Sequence, residues 1–180
     1  MRISPHLMQL LGCLTLTALH LSAAAAPAAE IKRTGIPHST FPISLAVSVP
    51  ANTPITFFAG TLADVSDPAA PKGSYEAYGN TQTQTTSVLK KIEALLAAEG
   101  LALGDVVKVN VFMVGDPKLD GKMDFAGLNA AYSQFFGSAA QPNKPVRTAL
   151  QVAALPMPGG LVEIEVTAAK VVTPAPARKK

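Results

Sequence analysis

Arg147 heads an otherwise apolar run, Pro145-Val146-Arg147-Thr148-Ala149-Leu150-Gln151-Val152, and no other arginine lies between Arg33 and the charged C-terminal tip. A guanidinium keeps its charge at every accessible pH and offers a planar fork of N–H donors matched to a carboxylate. At the mouth of a strand it is a candidate anchor for a small acidic ligand; the plainer alternative is a surface arginine paired with an acid. Downstream, Val162-Glu163-Ile164-Glu165 puts two carboxylates on the same side of an alternating strand. Such a group can accept a hydrogen bond from water or act as a general base, although charged strand residues are more often simply solvated.

The N-terminus excludes other chemistries. Arg2, the apolar run from Leu7 to Leu21 and the small residues Ser22-Ala23-Ala24-Ala25-Ala26 before Pro27 have the order of a secretory signal peptide over 1–26. The apolar run is too short, and too interrupted by His20 and threonines, for a membrane span. The expected mature protein is therefore exported, to the periplasm or the medium, and free of the membrane. Cleavage removes Cys13, His6 and His20 and leaves His38 as the one histidine. A disulfide, a cysteine nucleophile and a Cys/His zinc site are thereby ruled out, and a Ser-His-Asp triad is possible only through His38. No metal or other cofactor is expected.

Charge gives a similar exclusion. Arg2 leaves with the signal and Arg178, Lys179 and Lys180 sit in a tail, so the body carries eleven bases against twelve acids. No basic stripe with interleaved aromatics tracks phosphates, and no nucleic-acid partner is expected.

The elements that must position Arg147 and Glu163 follow from periodicity. Residues 27–40 read as a flexible leader, 41–172 as one domain and 173–180 as a disordered basic tail. Ile43 to Val49 and Ile55 to Ala59 are short β-rich runs, either a hairpin or successive strands, and Asp64 to Gly79 is a loop. From Asn80, Thr81, Thr85, Val88, Ile92, Leu95 and Leu96 recur at helical spacing, with Asn80 as N-cap and Gly100 as C-terminal stop. Val106 to Val114 alternates as a strand, Phe125 to Phe136 repeats as a second helix closed by Gly137, and Arg147 to Leu155 and Leu161 to Val171 are the last strands. The order β-β-α-β-α-β-β predicts an α+β fold, with two helices on one face of a single mixed sheet and the other face buried against another subunit.

Thr83-Gln84-Thr85, Gly104-Asp105-Val106-Val107-Lys108-Val109-Asn110-Val111-Phe112, Asn129-Ala130-Ala131-Tyr132 with Phe135-Phe136, Pro145-Val146-Arg147, Leu155-Pro156 and Val162-Glu163-Ile164-Glu165 stand in the order found in the RidA family, also called YjgF or L-PSP. The chain resembles that family over roughly residues 43–172. The resemblance implies a chorismate-mutase-like fold assembled as a homotrimer, with sheets facing a central barrel and ligand clefts between subunits. It also implies hydrolysis of reactive 2-imino or 2-enamino acids to 2-keto acids and ammonia. The family's carboxylate-binding arginine falls on Arg147, its water-orienting glutamate on Glu163, its glycine after the second strand on Gly60 and its helix asparagine on Asn129. Thr61 stands where glutamine is common and Ala149 where cysteine is common; both count as substrate-binding positions, Ala149 through its amide. Ile43 replaces a usual tyrosine, and the loop over 115–123 is longer than the usual connection.

The chemistry suits these residues. A 2-imino acid needs its carboxylate fixed and a water delivered to an already electrophilic carbon, which Arg147 and Glu163 can supply. Two other readings stay open: a non-catalytic trimeric binder of small carboxylates, and a ribonuclease or translation inhibitor. The near-neutral body argues against the latter.

Overall fold

The computed structural model describes residues 29–172. The expected signal peptide over 1–26 and the expected basic tail over 173–180 lie outside the described residues. Four strands form one mixed sheet in the order β3-β6-β4-β5: β3 (Ile55–Leu62), β4 (Val106–Met113), β5 (Val146–Gln151) and β6 (Val162–Ala169). β6 runs antiparallel to both neighbours, and β4 and β5 are parallel, joined through α3 (Phe125–Phe135) as a parallel pair requires. Helices α2 (Thr81–Ala98) and α3 supply the apolar layer on one face. Among the described residues no helix is long and apolar enough to cross a membrane.

The sequence fixes these elements locally. Asn80 Oδ1 accepts from the Thr83 amide at 2.9 Å, which starts α2, and Gly100 with φ of 70° turns the chain out after it. Val88, Leu89, Ile92 and Leu96 of α2 are fully buried or nearly so. Each contributes roughly 1.5–3 kcal/mol by leaving water. They pack over Val109, Val111, Ile164 and Val166, the covered half of an alternating pattern whose other half is Asn110, Phe112, Glu163 and Glu165.

Several expectations are corrected. Leu95 belongs to the outer margin of α2 and is exposed, while Leu89 takes a core position. The segment 64–79 contains a short helix, α1 (Tyr75–Tyr78), capped by Ser74. Part of the expected leader is a strand: β1 (Lys32–Gly35) pairs antiparallel with β2 (Ser44–Ser48) in a separate two-stranded sheet, so the two early β-rich runs form no hairpin with each other. The cause lies in side-chain bonds from residues distant in sequence. Arg33 donates to the carbonyls of Lys144 at 3.0 Å and Gly104 at 2.9 Å. Ser44 adds its amide to Pro145 O at 2.9 Å and its hydroxyl to Lys144 O at 2.6 Å. Partial burial lowers the Arg33 pKa, with Asp105 opposing the shift.

The long loop is also ordered. Asp116 and Lys122 bridge across it, and Gln151, the last residue of β5, donates to Gly121 O and accepts from the Met123 amide, both at 2.9 Å. Gly115 is required there, because a Cβ would overlap the Gly121 carbonyl. β5 ends at Gln151, earlier than the alternation suggested, where this clamp takes over.

Candidate functional site

Arg147 lies on the helix-covered face of the sheet, directly beside Val109 of β4. Its side chain is half-buried and turned toward α3. Nη2 donates to Asn129 Oδ1 at 2.9 Å, and the Asn129 amide nitrogen donates in turn to Phe125 O at 2.8 Å. That second bond fixes which end of the amide faces the guanidinium, so Asn129 holds the arginine. Three rings surround the cation, with centroids 4.4 Å (Tyr132), 5.4 Å (Phe41) and 5.5 Å (Phe125) from Cζ. Such contacts favour a desolvated cation. Nη1 is buried and has no hydrogen-bond partner among the described residues. Burial lowers the Arg147 pKa, Tyr132 opposes, and the group stays protonated across the working range of pH.

Tyr132 is fully buried and its hydroxyl has no hydrogen-bond partner among the described residues. Burial raises the phenol above its ordinary 10, with the Arg147 charge pulling the other way. An acid with a raised folded-state pKa contributes stability that is complete below the unfolded pKa and is lost as pH climbs through the folded one. Tyr132→Phe is therefore expected to leave the urea midpoint at pH 7 unchanged or slightly raised, and to lose less stability than wild type between about pH 9 and about pH 11. Urea titrations of both proteins at the two pH values check this.

The second group of expected residues sits elsewhere. Gly60 lies at the bulge of β3 between Phe58 and Thr61, and a Cβ there would overlap the Glu163 carboxylate, so glycine leaves that carboxylate room over the β3 backbone. Thr61 pairs with Ile164, faces the core and is buried, its hydroxyl 3.5 Å from Ala59 O. Glu163 is half-buried on the open face of the sheet, in a row with Leu62, Phe112 and Leu150. Glu165, two residues on, donates nothing and accepts from Asn110 Nδ2.

Register decides how these groups relate. Arg147 aligns with Val109 and Glu163 with Phe112, three residues apart on β4 and hence on opposite faces. Their strands are also separated by β4, about 10 Å at ordinary strand spacing. Within one chain Arg147, Asn129 and Ala149 stand together in one place, and Gly60 and Glu163 in another. Ala149 shares the face of Arg147, and since the Val152 amide donates to Met113 O on β4, alternation points the Ala149 amide away from β4.

Sequence reasoning missed the ring cage. Tyr132 was legible only as core, and Phe125 only as a helix residue. Phe41 gave no signal, since nothing local ties residue 41 to residue 147. The spacing of Phe125 and Asn129, one helical turn apart, is the signal that could have placed them on one face. A cavity of about 440 Å³, lined in part by Leu119, Met123 and Phe125, adjoins this cage through Phe125. Among the described residues no group of three or more His, Cys, Asp or Glu is placed to hold a metal ion.

Comparison with known proteins agrees with this architecture. A family model described as Endoribonuclease L-PSP matches residues 46–170. A RutC family protein of Pyrococcus horikoshii is 39% identical over 103 residues, 57% of this chain and 73% of that protein. Escherichia coli TdcF, provisionally named a reactive intermediate deaminase, is 36% identical over 81 residues, 45% of this chain and 57% of that protein. The crystal structure of E. coli TdcF with bound serine superposes with a TM-score of 0.51 at 26% identity, covering 81% of this chain and 100% of that one. Motif order, sheet topology and these matches agree, and the chain belongs to the L-PSP (YjgF/RidA) family.

Proposed function

We propose that this protein hydrolyses reactive 2-imino and 2-enamino acids to 2-keto acids and ammonia, as an exported homotrimer. One observation carries the reading: a guanidinium oriented by Asn129, desolvated by three rings and left with an unpartnered buried Nη1. A buried donor without an acceptor costs about 1–3 kcal/mol, and a substrate carboxylate relieves that cost while accepting a charge-assisted pair. The Ala149 amide is directed outward from the same strand and can take the other carboxylate oxygen.

Water then adds to the C=N carbon as Glu163 takes its proton and returns it to the nitrogen, giving a carbinolamine. Glu163 next relays the hydroxyl proton to the amino group, the C–N bond breaks, and ammonia leaves as the carbonyl forms. One chain cannot bring Arg147 and Glu163 to one small molecule, because they lie on opposite faces. Neighbouring subunits unite them where the β5 side of one meets the β3–β6 side of the next. The single-sided pairing of β5 in the main sheet and the apolar open face, with Phe57 79% exposed, support such an assembly. The name of the relative TdcF, and the serine bound to it, fit a small amino-acid-like ligand. The signal pattern of 1–26 supports export, and the N-terminus of protein recovered outside the cytoplasm is expected at Pro27.

The test generates 2-iminopropanoate in place with an amino-acid oxidase and follows its disappearance, alongside sedimentation of the purified protein. Accelerated loss by a trimer is expected. An unaccelerated rate with Arg147-dependent binding of pyruvate makes the protein a carboxylate binder, and RNA cleavage independent of Arg147 makes it a nuclease.

A further inference from the structure

Of the three rings around Arg147, Tyr132 is the fully buried floor, while Phe125 is 40% exposed and Phe41 is half-buried. Phe41 comes from neither the sheet nor a helix. It stands in the segment joining β1 to β2, and its backbone is pinned on both sides. Its amide donates to Ser39 Oγ at 3.1 Å and its carbonyl accepts from the Ile43 amide at 2.9 Å. The next anchor is Ser44, bonded to Pro145 and Lys144 just before Arg147 itself. The ring is thus carried on a fixed support rather than on a swinging flap. Its centroid lies 6.5 Å from that of Phe125 at an interplanar angle of 31°, within contact range for an aromatic pair, so no group fits between the two rings. Phe41 is one of the two partly exposed rings against the guanidinium, its centroid 5.4 Å from Cζ, so an acid bonded to Arg147 carries its side chain within reach of that ring.

We propose that Phe41 is a steric gate that sets the size selection of the Arg147 site, admitting 2-imino and 2-keto acids with side chains of one or two carbons and rejecting branched and aromatic ones. This rests on Arg147 being the carboxylate anchor, the reading given above. A rigid wall selects by overlap: a small acid seats its carboxylate with the ring in place, whereas a benzyl or isobutyl group forces the ring off its rotamer or holds the carboxylate short of Nη1. Removing the ring removes the overlap but not the anchor. The ratio of large to small acids accepted is therefore the quantity that Phe41 controls.

The experiment measures equilibrium binding of pyruvate, 4-methyl-2-oxopentanoate and phenylpyruvate by calorimetry, and turnover of the matching imines, for wild type, Phe41→Ala, Phe41→Leu and Phe41→Trp. Wild type is expected to favour pyruvate. The phenylpyruvate to pyruvate affinity ratio should rise by about 10-fold or more in Phe41→Ala, rise less in Phe41→Leu and fall in Phe41→Trp. Phe41→Leu preserves packing if Phe41→Ala does not fold, and an unchanged ratio in the folded variants overturns the gate. A uniform loss for all acids also overturns it, since Phe41 then only supports Arg147. Binding needs no catalysis, so a shifted binding ratio without imine turnover keeps the gate and rejects the deaminase reading. Turnover with an unshifted ratio does the reverse, and wild type that binds none of the acids removes both.

Discussion

Arg147→Ala is expected to lower kcat/KM for 2-iminopropanoate by about 10²- to 10⁴-fold, with pyruvate affinity falling in parallel. Two charge-assisted hydrogen bonds to a carboxylate, at about 1.5–3 kcal/mol each, set that range. Stability should move much less. The guanidinium is already desolvated, which is why its pKa is lowered, and exchanging a buried cation for a neutral group is often neutral or favourable. Arg147→Met keeps a side chain of similar length among Phe41, Phe125 and Tyr132 and separates the two effects: activity lost, melting temperature retained. Arg147→Lys keeps the charge but cannot both reach Asn129 and present a fork, so it should recover only a small part of the activity. Wild-type turnover in Arg147→Met would reject the anchor.

Glu163→Gln should reduce kcat by about 10²- to 10⁴-fold with little change in pyruvate affinity, because the amide can still orient water but cannot take its proton. Gln fits the space that Gly60 leaves, so folding is preserved. The same variant tests where the site is assembled. When Arg147→Met and Glu163→Gln chains are refolded together in equal amounts, random association makes about one quarter of shared clefts fully wild type, and activity reappears. Sites confined to single chains would stay silent in the mixture. Steady-state kinetics on the two pure variants and on the mixture read both outcomes.

The parts of the molecule legible in its sequence are those set by neighbours along the chain. Asn80 and Gly100 bracket α2 because capping is a matter of three or four residues, and Val162, Ile164 and Val166 declare the covered side of β6 because a strand alternates at every step. Arg147 stood out as a candidate anchor because a lone guanidinium in an apolar run has few uses. Its separation from Glu163 was not legible, since that depends on Val109 lying beside Arg147 and Phe112 beside Glu163, pairings between strands far apart in sequence. β1 escaped notice for the same reason. Four residues of modest β propensity become a strand because Arg33 finds carbonyls 71 and 111 positions away. Asn129 was marked as a ligand contact, and its bond to Arg147, oriented by the hydrogen bond to Phe125 O, was not legible, because it too joins residues distant in sequence.

Ile55, Phe57 and Leu150 lie on the side of the sheet that no helix reaches, and each keeps between 40% and 79% of its surface in water. Every such square ångström costs roughly 25 cal/mol while the chain is alone. The proposed assembly would remove that cost and tie the free energy of folding to how many copies share the solution. Dilution is then expected to act as a mild denaturant.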